Sequence, residues 1–326
     1  MAKPKVAFYW CASCGGCEET VVDLNEDILK VADAVDIVLW PVALDFKKKD
    51  IEAMKDGEIA VSFINGAVRL GEQEEMVKLL RKKSGLVVAF GACAHLGGIP
   101  GLGNFWNRET IFQRVYKEVP TVDNPKGIIP QEKTKVAEGE LELPEFYDTV
   151  KPLNQVIDVD YYLPGCPPPP DLIMKAVTAI LKGELPPKGT VLAPNKALCD
   201  TCPRAESKPE KLSIAEVKRP WQIKMDPEKC FLAQGVICMG PATRTGCGET
   251  CIRANQPCRG CFGPVDGVVD QGAKALSMIA SILGIEGETK MTEEEVKKLI
   301  DGIVDPAGTF YRFSLASSLL KRKRME

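Results

Sequence analysis

Short apolar runs alternate with amphipathic stretches through the first half of the chain. Residues 5–10, 35–40, 58–64 and 86–90 each read as a strand, and a fifth lies within 154–163, marked by Val156, Ile157 and Val159. Between them, residues 18–32 place Val21, Val22, Leu24, Ile28 and Leu29 near helical spacing. Residues 72–83 do the same with Met76, Val77, Leu79 and Leu80. Near-continuous apolar strands separated by helices predict a parallel sheet covered on both faces. Five such strands predict an α/β, flavodoxin-like doubly wound domain, although the sequence alone does not fix the strand order.

The alternation is interrupted twice. Residues 117–150 are rich in Pro, Lys and Glu and too long for an ordinary connection, which leaves either a partner-contact arm or disorder. From Pro186 onward the strand–helix pattern stops, with Pro187, Pro194 and Pro203 marking the shift. Residues 195–265 hold eight cysteines and little hydrophobic periodicity, so this segment is expected to fold around metal rather than on a core alone. Two helices follow, at 271–283 and 293–303. The expected organisation is a flavodoxin-like domain over 1–190, an irregular metal-binding domain over 191–265 and a helical C-terminal extension over 266–326.

Composition narrows the chemistry. The 326 residues contain 13 cysteines and a single histidine, and the formal net charge is -3. That charge argues against nucleic acid or an anionic membrane as partner, and the basic run Lys321 to Arg324 reads as a solvated tail. The sequence shows no signal peptide or twin-arginine leader, and no apolar run of the ~18 residues a membrane span needs. A cytoplasmic, non-membrane protein is therefore expected. Thiols stay reduced there, which weakens a disulfide reading and favours metal ligation.

Four cysteines fall just past predicted strands. Cys14 and Cys17 follow the first strand as Cys14-Gly15-Gly16-Cys17, Cys93 follows the fourth within Gly91-Ala92-Cys93-Ala94, and Cys166 follows the fifth within Pro164-Gly165-Cys166-Pro167. The carboxyl edge of an open α/β sheet is where such folds bind ligands. Glycines there permit close backbone approach to a bulky group, and prolines stiffen the Cys166 loop. A thioredoxin-like redox pair at Cys14 and Cys17 is the rival, but it leaves Cys93 and Cys166 without a role at the same edge. Downstream stand Cys199, Cys202, Cys230, Cys238, Cys247, Cys251, Cys258 and Cys261. Paired structural zinc sites are the plain alternative, yet the intervals do not repeat the two close pairs of a zinc ribbon.

Taken together these motifs resemble the small subunit of nickel–iron hydrogenases, over roughly residues 5–265. The resemblance implies three 4Fe-4S clusters: a proximal one on Cys14, Cys17, Cys93 and Cys166, a distal one on Cys199, Cys202, Cys230 and Cys238, and a medial one on Cys247, Cys251, Cys258 and Cys261. Two departures are informative. Many respiratory members carry His as the first distal ligand, where this sequence has Cys199. Many also carry Pro where Cys251 stands, which leaves a three-iron medial cluster; a cysteine there implies a cube and a lower potential. Both departures look like the cytoplasmic hydrogenases of methanogens, and Leu198-Cys199-Asp200-Thr201-Cys202-Pro203-Arg204 looks closest to the methyl-viologen-reducing, F420-non-reducing type.

The resemblance implies an electron-transfer subunit with no catalytic residue of its own. Hydrogen would be split at a nickel–iron centre in a separate large subunit. Electrons would leave through a small iron–sulfur subunit to a heterodisulfide reductase in methanogenesis. The gamma subunit of a deazaflavin-reducing hydrogenase, a complex-I-like subunit with the proximal cluster alone, and a zinc-stabilised scaffold are the alternatives. Outside the sets, Cys11 is expected to be an unligated thiol and His95 a loop residue with a local hydrogen bond. Glu18 and Glu19 are expected to complement a helix dipole. Trp10, Trp40 and Trp106 belong either to the core or to an interface.

Overall fold

The structure, a computed structural model, describes residues 3–284 and 292–322; Lys323 and Arg324 of the basic run lie outside them. The chain passes through β1 (Lys5–Trp10), α1 (Gly16–Val22), α2 (Asp27–Ala34), β2 (Asp36–Leu39), α3 (Lys48–Glu52), β3 (Ile59–Asn65) and β4 (Val68–Leu70). Then come α4 (Gly71–Lys83), β5 (Ser84–Phe90), α5 (Gly91–Leu96), α6 (Arg108–Gln113), β6 (Lys133–Val136), β7 (Gly139–Glu142), β8 (Phe146–Lys151) and β9 (Tyr161–Leu163). The remaining helices are α7 (Pro170–Lys182), α8 (Thr250–Arg253), α9 (Gln271–Ala280), α10 (Glu293–Asp301) and α11 (Pro306–Phe310).

The main sheet has five parallel strands in the order β2-β1-β3-β5-β9. Counting only its own strands, that is the flavodoxin order 2-1-3-4-5, so the expected fold class holds. Alternation sets the two faces. Val6, Phe8, Val61, Phe63, Val88 and Phe90 pack on one side against Val31 of α2 and Leu172, Ile173 and Ala176 of α7. Ala7, Ile64, Val87 and Ala89 pack on the other against Ile51 of α3 and Met76, Val77 and Leu80 of α4. On the first side the rings of Phe8 and Phe63 stack with centroids 5.3 Å apart.

Several sequence expectations shift. The single helix over 18–32 is two, α1 and α2, divided where Asn25 takes φ 52°, a conformation Asn tolerates better than most residues. Val22 and Leu29, counted as apolar face, are 58% and 65% exposed, so they contribute little of the ~1.5–3 kcal/mol that a buried aliphatic side chain supplies. The fifth strand is short, because residues Leu153–Gln155 turn as a 3-10 helix before β9. Helix α7 begins on the proline run, with Pro170 at its first turn, where a missing N–H costs nothing. Within 117–150 the chain forms the exposed antiparallel β6–β7 pair, then β8, which pairs with β4.

The cysteine-rich region does have an apolar core. Leu198, Ile214, Phe231, Leu232, Val236 and Ile252 pack with Ala275 and Ile279 of α9 and with Phe310, Tyr311 and Leu315. The C-terminal segment then returns to the sheet region. The Gly98 N–H donates to the Phe313 carbonyl at 2.9 Å, and the Gln155 side-chain amide donates to the Ala316 carbonyl at 3.0 Å.

Candidate metal centres

Cys14 and Cys17 flank the start of α1, where Gly15 takes φ +84°. Cys93 lies in α5, directly after β5, and Cys166 follows β9. The four come together at the carboxyl edge of the sheet. Burial raises the Cys17 thiol most, and the nearby Cys93, Cys166 and Cys14 raise it further. Burial likewise raises Cys93 to about 12, with Cys166 and Cys14 adding to it and the Ile99 N–H opposing. Two glycines make room. A Cβ on Gly91 would lie 2.3 Å from the Cys17 sulfur, and one on Gly98 would lie 2.4 Å from the Cys93 sulfur. The Ala92 N–H donates to the Gly165 carbonyl at 2.6 Å, which locks the Cys93 and Cys166 loops together.

Cys199, Cys202, Cys230 and Cys238 form a second group. Burial raises Cys199 to about 12, and Cys238, Cys202 and Cys230 all reinforce it. A Cβ on Gly240 would sit 3.3 Å from the Cys199 sulfur. The Arg204 fork, 4% exposed, ties this group's loops together. It donates to the Asp226 and Lys229 carbonyls at 3.3 and 3.1 Å, to the Ile252 carbonyl at 3.3 Å and to Asn255 Oδ1 at 2.8 Å.

Cys247, Cys251, Cys258 and Cys261 form a third group. Burial raises Cys261 to about 12, reinforced by Cys166, Cys247 and Cys251. Burial also raises Cys258, with Cys238 and then Cys261 adding to it. This third group lies between the other two. The Cys166 N–H donates to the Cys261 sulfur, and the Cys258 N–H donates to the Cys238 sulfur. With their pKa values raised this far, the free thiols are protonated at neutral pH, so any metal they take must displace protons. Among the described residues, no three His, Cys, Asp or Glu side chains converge closely enough to hold one metal ion. The spacing suits a body bulkier than one zinc, whose bonds to sulfur are ~2.3 Å.

The residues around the groups differ in part from expectation. Cys11 packs among Ala7, Val38 and Ile64 in the core. His95 lies in α5 rather than in a loop; its ring sits 4.7 Å from that of Tyr162 and its Nδ1 is buried with no hydrogen-bond partner. Burial, aided by the Arg244 charge, lowers its pKa to about 4, so it is neutral. Glu18 is buried, and its carboxylate accepts hydrogen bonds from Trp40 Nε1 and, at 2.6 Å, from Asn65 Nδ2. A dipole argument alone does not explain that. Burial raises the Glu18 pKa against the lowering effect of those two bonds. Trp40 is core, whereas Trp10 and Trp106 are 40% and 56% exposed. Sequence reasoning passed over Thr20, Asn65, Arg204 and Arg244. The one available signal was Asn65, a polar residue ending an apolar strand just before a glycine.

Comparison with known proteins places this arrangement. The family model described as NADH ubiquinone oxidoreductase, 20 Kd subunit, matches residues 14–180. The iron-sulfur subunit of the F420-non-reducing hydrogenase of Archaeoglobus profundus is 42% identical over 324 residues, 98% of each chain. The corresponding F420-non-reducing hydrogenase chain of Methanothermobacter marburgensis is 39% identical over 322 residues, 98% of this chain and 97% of that one. The fold is that of a chain in the recombinant [NiFeSe] hydrogenase of Desulfovibrio vulgaris Hildenborough, with a TM-score of 0.51 at 19% identity, over 82% of this chain and 95% of that one. Fold and relatives thus define the class, a hydrogenase small subunit within the oxidoreductases. Within that class, the chain belongs to the family of F420-non-reducing hydrogenase iron-sulfur subunits. No described helix is long and apolar enough to cross a membrane.

Proposed function

We propose that this chain is the electron-transfer subunit of a nickel–iron hydrogenase and holds three 4Fe-4S clusters, one per cysteine group. When bound, the clusters supply one-electron carriers between the large subunit, where hydrogen is oxidised, and a downstream acceptor. The proximal set is Cys14, Cys17, Cys93 and Cys166, the medial set Cys247, Cys251, Cys258 and Cys261, and the distal set Cys199, Cys202, Cys230 and Cys238. Residues 1–190 carry the first and 191–265 the other two, with 266–326 as the helical extension.

The observation that carries this reading is the pair of hydrogen bonds between groups. Cys166 to Cys261 and Cys258 to Cys238 put the three sets in a row, proximal to medial to distal. A relay needs that order, and a scaffold of independent zinc sites does not. The chain's own part is to space the sets, exclude water and direct N–H groups at sulfur, which tunes potential. The glycines at 91, 98 and 240 keep side chains out of that space. The related proteins are named F420-non-reducing, which favours this reading over the gamma subunit of a deazaflavin-reducing hydrogenase. We take the acceptor to be a small iron–sulfur subunit that feeds a heterodisulfide reductase, in the cytoplasm, where thirteen thiols stay reduced.

The test is the iron and acid-labile sulfide content of the anaerobically purified chain, with an EPR spectrum after reduction. About twelve irons with matching sulfide are expected for three cubes. About four irons would confine metal to the sheet edge, and zinc without sulfide would overturn the proposal. Cys14→Ala or Cys17→Ala in the complex should abolish hydrogen-driven dye reduction; full activity in a stable mutant would remove the proximal assignment.

A further inference from the structure

Away from the cysteines, two arginines meet in an unusual environment. Arg69, in β4, is 8% exposed, and its guanidinium lies 4.2 Å from the centre of the Phe146 ring. Its Nη1 rests against Gly103, where a Cβ would come within 2.4 Å of it. Its Nε and Nη2 are buried and have no hydrogen-bond partner. Arg322, near the end of the chain, donates through Nη1 to Thr149 Oγ1, and its Nε and Nη2 are likewise buried and unpartnered. So each guanidinium leaves open the same Nε–Nη2 edge, the one that grips an oxyanion with two parallel hydrogen bonds.

The local charges do not balance this pair. Asp148 attracts Arg69, but its Oδ1 accepts the Arg108 N–H at 2.8 Å, and no hydrogen bond joins Asp148 to Arg69 among the described residues. Glu132 is paired with Arg108 at 3.6 Å. Burial, together with the Arg322 charge, lowers the Arg69 pKa against the pull of Asp148. Two like charges in a water-poor setting, with four N–H-bearing nitrogens idle, make a costly arrangement unless an anion joins them. Arg322 is only half-buried and sits on the last described turn, so rotating its side chain opens a way in. The basic run read as a solvated tail is, at Arg322, part of this cluster.

We propose that Arg69 and Arg322 form an oxyanion site, which takes a carboxylate or a tetrahedral anion such as sulfate or phosphate between their open edges. The anion has two sources: a free ion, or an acidic side chain presented by the large subunit. The second source rests on the hydrogenase reading above.

Calorimetric titration of the cluster-loaded, full-length chain with sulfate and with phosphate, at constant ionic strength, tests the site. The comparison is Arg322→Gln, with iron content measured on both proteins. A free-ion site gives saturable binding that Arg322→Gln weakens at least tenfold with iron unchanged. A partner-carboxylate site gives no binding to the isolated chain, yet Arg322→Gln weakens association with the large subunit at least tenfold, again with iron unchanged. If neither affinity moves, the proposal is wrong. Arg322→Lys, which keeps the charge but not the fork, decides the matter if the glutamine variant fails to fold; wild-type affinity for both anion and large subunit in that variant would also overturn it. Iron loss in the unmodified chain would instead count against the cluster reading.

Discussion

The Thr20 hydroxyl donates to the Pro168 carbonyl at 3.0 Å, joining α1, which carries Cys17, to the loop that carries Cys166. Thr20 is 1% exposed, so water does not replace the bond when it is lost. Two residues of the proximal set, far apart in sequence, therefore owe part of their relative placement to one hydroxyl. Thr20→Val keeps the shape and removes the donor. Its expected cost is about 1 kcal/mol, which lowers the thermal midpoint by roughly 2–4 °C. The EPR signal of the proximal site should change while the total iron content holds. An unchanged midpoint and spectrum would mean that the loop is held by Ala92 to Gly165 alone.

Gly91 and Gly98 test the fit of the proximal site from within. Both take positive φ, +86° and +60°, and a Cβ on either would meet a cysteine sulfur at 2.3 or 2.4 Å. Gly91→Ala and Gly98→Ala therefore combine backbone strain with a clash that only movement of Cys17 or Cys93 relieves. Each variant should lose about four of about twelve irons and retain the rest. Full iron in both would show that the thiols have room the geometry denies them.

The sheet could be read from sequence because its strands are nearly continuous apolar runs, and such runs leave few alternatives. The cysteine edge could be read because each of the four cysteines closely follows one of those strands. The split between α1 and α2 could not, since Val22 and Leu29 fit a helical face that solvent occupies. Helix α7 was hidden by the proline run that starts it. The core of the cysteine-rich region was hidden for another reason: Phe231, Ile252, Ile279 and Phe310 are far apart in sequence and show no common period. Nor does any local pattern announce that Phe313 and Ala316 return to the Cys93 loop, because that contact depends on tertiary path alone.

Asp160 gives a prediction in pH. It is 6% exposed and precedes β9, and its carboxylate accepts from Arg81 Nη1 at 2.6 Å, Lys188 Nζ at 2.6 Å and the Val87 N–H at 2.8 Å. Desolvation raises its pKa, but Lys188, Arg81 and the Val87 N–H outweigh it, and the net shift is downward. A folded value below the unfolded ~3.9 means the stabilisation is fully present above pH ~3.9. It is lost as pH falls through the folded value. Asp160→Asn should cost about 2–3 kcal/mol at pH 7. Denaturant unfolding should find that gap closing only in strong acid. A gap that stays constant to about pH 2, below the usual carboxylate range, would show that the loss is steric rather than electrostatic.

Arg204 joins the second and third cysteine groups, and this makes it the sharpest test of whether they form one unit. Its fork reaches the backbone at 226 and 229, just before Cys230, and the backbone at 252 and side chain at 255, just after Cys251. Its guanidinium also lies 4.0 Å from the centre of the Phe231 ring. A lysine keeps the charge but offers no planar fork, so it cannot meet acceptors on both segments at once. Arg204→Lys leaves a buried charge short of partners, at an expected cost of about 3–5 kcal/mol. If the two groups depend on each other, they should lose iron together, leaving about four irons at the sheet edge. Loss of about four irons, with about eight retained, would show instead that the groups fold independently and that Arg204 braces only one of them.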